Sequence, residues 1–254
     1  MSVSSSAAAA GLSPVLRDPS QLSPKRPTSP PSFSEQALLA FIPSSTLCSK
    51  AADRVKPLLG DKLWQHSHRA FLFAVAIAEG QFEDWEVSRE ALYLACLFHD
   101  LGATEKELTA TKTSFEFRSA YLAREFLFST DEGKAQPDLV DSVVEAIWRH
   151  TDFISSQITV TGQLIQLGTL YDNIFANPTW VHPDTARSIC KLFPRVEWAG
   201  CFHDTMKREQ ALKPWSHTSA FDFMGTGADN AWAKMLADDL GSALSGQEKA
   251  TEKL

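Results

Sequence analysis

The chain contains no stretch of about 18 consecutive apolar residues, the length a helix needs to cross a bilayer, so no membrane span is expected. No C-x-x-C pair occurs among its four cysteines, at positions 48, 96, 190 and 201. That removes the common spacings of a zinc ribbon or a dithiol redox site. Cys96 lies in an apolar helical pattern and reads as a buried thiol. The usage fits a reducing compartment, although an even cysteine count leaves disulfides open. An excess of basic residues is missing too. The formal net charge of -7 argues against a broad nucleic-acid or anionic-membrane surface. It does not exclude a small anionic substrate, because a metal can reverse the local charge. The alanine run at 7–10 lacks a basic lead and the bulk of a secretory segment. A cytoplasmic location is therefore expected, with the nucleus also open. No repeat period and no clear β run stand out, although residues 157–161 are β-prone.

What is present is a helical pattern behind an unusual head. Six of the 13 prolines fall by Pro31, among many serines and few large apolar groups. Residues 1–32 carry too little apolar surface to offset their ordering entropy and are expected to be a disordered tail. Within it, Ser23-Pro24-Lys25-Arg26-Pro27 reads as a phosphorylation or localisation element, or as plain linker. Hydrophobic content of 44% supports one helical domain over residues 33–244, with a flexible tail at 245–254. Helices are expected at 49–59, at 61–79 with Gly80 as its stop, from Ser88 to Gly102, and at 114–128. Further helices are expected at 138–150, 159–174, after Pro183, at 195–211 and at 230–243. Residues 103–113, polar and rich in threonine, read as a loop over the site.

Four side chains that can bind a metal end or interrupt apolar helix faces. His66 shares a face with Ala70, Phe73 and Ile77 at spacings of four, seven and eleven. His99 follows Leu92, Ala95 and Cys96, and Asp100 is its neighbour. Asp172 stacks with Ile165 and Gly168. An aspartate is rarely buried without a partner, which a metal or an arginine could supply. Two imidazoles and two carboxylates suit Zn²⁺, Fe²⁺ or Mn²⁺. His150 ends a fourth apolar face behind Val143, Ala146 and Ile147. His68 points away from the His66 face and reads as a packing or surface histidine. His182 and His203 read as structural or surface residues.

Five ordered segments carry a resemblance: Gln65-His66-Ser67-His68-Arg69, Leu97-Phe98-His99-Asp100-Leu101-Gly102, Arg149-His150, Leu170-Tyr171-Asp172-Asn173 and Lys213-Pro214-Trp215-Ser216-His217-Thr218. Together they resemble the HD superfamily of metal-dependent hydrolases, and more closely its fungal cyanamide hydratase group, from about residue 45 to 220. The resemblance implies an all-α fold as a single HD-type helical bundle. It implies metal ligation by His66, His99, Asp100 and Asp172, a bound Zn²⁺, and hydration of cyanamide to urea. His150 falls on the additional pocket histidine, and His217 on a late pocket segment. The chain departs from the group at Gln65, where an asparagine is usual, at Glu116, where an aspartate is usual, and in the loop at 103–107. These departures leave the metal frame intact and bear on the substrate.

His150 is the expected proton-transfer residue, since an imidazole titrates near neutral pH. Glu105 and Asn173 are further catalytic candidates, and Lys112 and Arg149 read as surface cations or as cations that hold the ligand carboxylates. Glu116, His217, Phe98 and Phe115 are expected to line a narrow pocket for a small nitrile. Two other readings remain: an HD-type nucleotide phosphohydrolase, and a non-enzymatic helical interaction domain. Exposed aromatic residues leave a homo-oligomer open, and no nucleic-acid or membrane partner is expected.

Overall fold

The computed structural model describes residues 3–152 and 156–220. The helix expected near 230–243 and the tail at 245–254 lie outside the described residues. In chain order the elements are α1 (Ser5–Ala9), β1 (Pro14–Leu16), α2 (Glu35–Phe41), α3 (Thr46–Gln81), α4 (Arg89–Phe98), α5 (Glu105–Ala110), α6 (Phe115–Ser129), α7 (Asp131–Lys134) and α8 (Pro137–Arg149). Then follow β2 (Gln157–Thr159), α9 (Val160–Ile174), α10 (Pro183–Leu192) and α11 (Trp198–Leu212). The architecture is all-α, with the two short strands paired as one antiparallel ribbon. No described helix is long and apolar enough to cross a membrane.

Helix α3 is the central pillar, packed on α4 and α9. It merges the two helices expected at 49–59 and 61–79. Gly60 marks the seam with φ 66° and ψ 171°, a conformation open to glycine that lets the axis bend without ending the run. Beyond the kink, every residue from His66 to Ala78 is buried. Its partner α9 approaches closely because position 168 is glycine: a Cβ there would collide with the Ala70 carbonyl oxygen. That approach sets His66 and Asp172 opposite one another. Helices α6 and α8 close the other side. Pro137 opens α8, whose missing N–H is no loss in a first turn, and Leu139, Val140, Val143, Ala146 and Ile147 turn inward.

Two expectations are corrected. Residues 105–110 form α5, not a loop. A single apolar side chain, Leu108, anchors it beside Ala103, Phe115 and Met206, and one apolar residue leaves no periodic trace. Residues 3–32 are laid along the bundle, not free of it. Their order comes from backbone bonds: β1 pairs Pro14, Val15 and Leu16 with Thr159, Ile158 and Gln157, and Lys25 N–H donates to the Gln81 carbonyl at 3.1 Å. Such bonds are invisible to a reading based on apolar content.

Candidate metal centre

Helix α4 delivers two neighbouring side chains to one point by ending there. Ser88 caps its N-terminus, and residues Ala91 to Phe98 are all buried, so its far end is rigidly placed. His99 is still helical (φ -56°, ψ -33°). Asp100 leaves the helix at φ -105°, ψ 8°, which swings its carboxylate beside the preceding imidazole. Gly102 admits α6 at this turn, since a Cβ would strike the Phe115 carbonyl oxygen, and its N–H donates to Ser119 Oγ at 2.7 Å. His66 arrives from α3. One donor atom each from His66, His99 and Asp100 lie within 4.8 Å of one another, and all three residues are buried.

Hydrogen bonding shows what the cluster requires. His66 Nδ1 faces Asp172 Oδ2 at 2.6 Å. His99 Nδ1 faces the Cys96 carbonyl oxygen at 2.8 Å. Both partners accept, so both Nδ1 atoms carry the proton, and in the neutral ring each Nε2 presents a lone pair. The two Nε2 atoms stand 3.2 Å apart. Asp100 Oδ2 lies 3.2 Å from His99 Nε2 and 3.5 Å from His66 Nε2, yet it has no hydrogen-bond donor. In their neutral tautomers the two Nε2 atoms converge with Asp100 Oδ2 in a buried space, and among the described residues no group donates to that oxygen. A cation removes that conflict, and the nitrogen–nitrogen–oxygen set fits Zn²⁺, Fe²⁺ or Mn²⁺.

His150 completes this side. Its Nδ1 faces the Ile147 carbonyl oxygen at 2.7 Å, so its Nε2 is also a lone pair. Its ring lies edge-on to His99, centroids 5.1 Å apart, and to Phe115 at 5.5 Å. Burial pushes its pKa down to about 4. It is a neutral acceptor at pH 7.

Asp172 stands on the opposite side of His66. Its carboxylate takes Arg69 in a two-toothed grip, Nε to Oδ1 at 2.8 Å and Nη2 to Oδ2 at 3.0 Å. Arg195 donates to the Asp172 carbonyl oxygen at 3.0 and 2.7 Å. Burial would raise the Asp172 pKa, but Arg69 and His66 hold the carboxyl well below its usual range. Asp172, expected as a fourth ligand, stands beside the cluster and faces His66 at Nδ1. The residues that hold it, Arg69 and Arg195, were not singled out from the sequence. Trp198, also missed, stacks on His66 with centroids 4.0 Å apart and planes at 13°. Arg69 was three positions from His66, one helical turn on, and that spacing was the available signal.

Glu116 sits on the first turn of α6, wholly buried, and neither carboxylate oxygen has a hydrogen bond. His217 Nδ1 comes within 2.9 Å of Oε1, at an angle that makes no hydrogen bond. Burial, with Glu209 near, raises the Glu116 pKa to about 8. Below it, Glu209 accepts from Phe115 N–H at 2.7 Å and Thr218 Oγ1 at 2.9 Å, and buried Lys213 donates to the Thr113 carbonyl oxygen at 2.7 Å. This tie fixes the segment carrying His217. His217 itself is half-exposed and opens on a cleft shared with Phe117, Tyr121 and Trp148.

Three candidates are not brought to the cluster. Glu105 is exposed and pairs with Arg208 at 3.1 Å. Asn173 Oδ1 accepts from Trp198 Nε1 at 2.8 Å, so it braces the ring that stacks on His66. Phe98 is a core residue against Phe126. Of the two roles open to it, His68 takes the packing one, between Trp64, Tyr93 and Phe193.

The sequence pattern of the HD domain family matches residues 63–173, the segment from His66 through His99, Asp100 and His150 to Asp172. Two proteins of Saccharomyces cerevisiae (strain ATCC 204508 / S288c), cyanamide hydratase DDI2 and cyanamide hydratase DDI3, are each 41% identical over 156 residues. Those residues are 61% of this chain and 68% of each relative. With a buried His-His-Asp cluster on the matched helices, the chain belongs to the HD-domain superfamily and is a close relation of the fungal cyanamide hydratases.

Proposed function

We propose that the protein is a Zn²⁺-dependent hydro-lyase that adds water to the nitrile of cyanamide to give urea. The coarser statement, an HD-type metal-dependent hydrolase or lyase, rests on the His66, His99 and Asp100 triad and on the two relatives. The observation that carries the reading is the convergence of three unopposed lone-pair atoms at 3.2 to 3.5 Å. When bound there, Zn²⁺ supplies Lewis acidity and lowers the pKa of water from 15.7 to about 7.

The chain's own groups divide the remaining work. His66, His99 and Asp100 hold the ion, and Asp172 keeps the His66 tautomer that offers Nε2. His150 Nε2, a lone pair on a neutral ring, accepts the proton released by the attacking water. Glu116 stays protonated at pH 7 because its pKa is raised to about 8, so it can donate to the nitrile nitrogen as negative charge develops there. Two titratable groups with pKa values pushed in opposite directions suit paired base and acid roles. Phe115 and His150 wall the site with apolar surface, as a small, nearly neutral substrate requires. The two arginines near the cluster, Arg69 and Arg195, are engaged by Asp172, which favours a neutral nitrile over a phosphate ester.

The experiment is to load the full chain with Zn²⁺ and follow urea from cyanamide, with a nucleotide panel in parallel. Urea from the wild type and none from His99→Ala supports the reading. Phosphate release from a nucleotide without urea formation replaces it with phosphohydrolase chemistry.

A further inference from the structure

Three serines precede a proline in this chain, Ser13, Ser23 and Ser29, all within the segment laid along the bundle. The structure separates them. Ser13 lies beside the ribbon, its carbonyl oxygen accepting from Val160 N–H at 2.9 Å, and Pro14 is paired within the ribbon. Pro30 and Pro31, which follow Ser29, pack on α3 at Gly80, Pro31 Cδ lying 3.1 Å from where a Cβ would stand. Ser23 is exposed, sits in irregular chain between a short 3-10 turn at Pro19–Gln21 and the anchor at Lys25, and has no hydrogen-bond partner among the described residues. The proline after it biases Ser23 toward extended backbone, the shape a kinase cleft accepts.

The side chains that follow add a second feature. Lys25 Nζ lies 3.0 Å from Glu83 and 2.7 Å from Asp84, and Arg26 Nη2 lies 3.3 Å from Glu83. These pairs are exposed and therefore easily exchanged. Beneath them, Gln81 grips the strap: its side chain accepts from Arg26 N–H at 2.9 Å and donates to the Arg26 carbonyl oxygen at 2.9 Å.

We propose that Ser23 is a modification site: a proline-directed protein kinase that favours a basic residue three positions on, here Arg26, phosphorylates it, and the phosphate then draws Lys25 and Arg26 from Glu83 and Asp84. In that step Ser23 Oγ bonds to the γ-phosphorus of Mg-ATP, the bond from that phosphorus to the bridging oxygen breaks, ADP leaves, and the hydroxyl proton passes to the kinase's base. The product carries close to two negative charges at neutral pH. It sits two and three residues from the cations and competes with the carboxylates of Glu83 and Asp84 for them.

The test treats the full chain with Mg-ATP and a cyclin-dependent kinase, the probe of that class. About one phosphate per chain, retained in Ser29→Ala and lost in Ser23→Ala, supports the assignment. A several-fold fall in kcat/KM for phosphorylation in Arg26→Ala supports the role of the basic residue. No incorporation, or incorporation unchanged in Ser23→Ala, overturns the site. Amide hydrogen exchange then reads the consequence: faster exchange at Lys25 and Arg26 in the phosphorylated chain supports release of the strap, and unchanged exchange overturns that part.

Discussion

Asp172 Oδ2 lies 2.6 Å from His66 Nδ1, the ring nitrogen that points away from the lone-pair cluster. A carboxylate that accepts at Nδ1 sets the tautomer and orientation of the imidazole. Asp172→Asn keeps the size and removes the charge that Arg69 and His66 share. Loss of such a supporting carboxylate lowers metal affinity by roughly 10- to 100-fold. It also leaves Arg69 buried beside a neutral group, at a cost of about 3–5 kcal/mol. Competition with a chromogenic chelator and denaturant unfolding measure the two effects separately. A variant whose metal affinity matches the wild type would refute the supporting role.

Metal removal is expected to lower stability, because only the folded chain brings the three donors together. At a free metal concentration 100 times Kd the lost stabilisation is about 2.7 kcal/mol. A thermal scan with and without chelator should therefore shift in the wild type and stay in place in His99→Ala. The variant lacks one of two imidazole nitrogens that stand 3.2 Å apart, and its unfolding temperature should not fall below that of metal-free wild type by the amount expected for a lost core residue.

Glu116 gives a pH signature with a definite sign. Burial raises its folded pKa to about 8, whereas the unfolded value is about 4.3. The folded state holds a proton that the unfolded state releases. The resulting stability is fully present below about pH 4.3 and declines as pH rises toward 8, at about 1.4 kcal/mol per pH unit. Glu116→Gln should flatten this slope and gain on the wild type as pH rises from 5 to 8. Burial raises Glu209 too, so part of the slope persists. Urea formation in the same variant should fall by about 10²-fold, the scale of one proton-transfer group.

Close packing between α3 and α9 can be tested at Gly168. A methyl group there meets the Ala70 carbonyl oxygen and forces the helices apart. Gly168→Ala should destabilise by about 1–3 kcal/mol, the range for overpacking, and should weaken metal binding by displacing His66 from His99. Unfolding curves and metal titration would report both.

Glu105 offers the reverse case. It is exposed on Arg208, so Glu105→Gln should leave urea formation within about twofold, and stability within about 0.5 kcal/mol.

The residues alone determined a good deal. Apolar positions repeating every three or four residues marked the helices, because a buried face must recur with the helical period. The same periodicity carried His66, His99 and His150 to the inner ends of those faces, and the short-range turn after His99 was enough to join Asp100 to it. Only the tertiary structure decided which way each donor atom points. Asp172 shares a face with Ile165 and Gly168 whether it binds a metal or an arginine, and its contacts with Arg69 from α3 and Arg195 from the turn before α11 arise only in the fold. The ordering of residues 3–32 was likewise hidden, since backbone bonds to Gln81 and β2 hold them and main-chain groups are the same in every residue. Periodicity records what is buried; it does not record the partner that satisfies a buried charge.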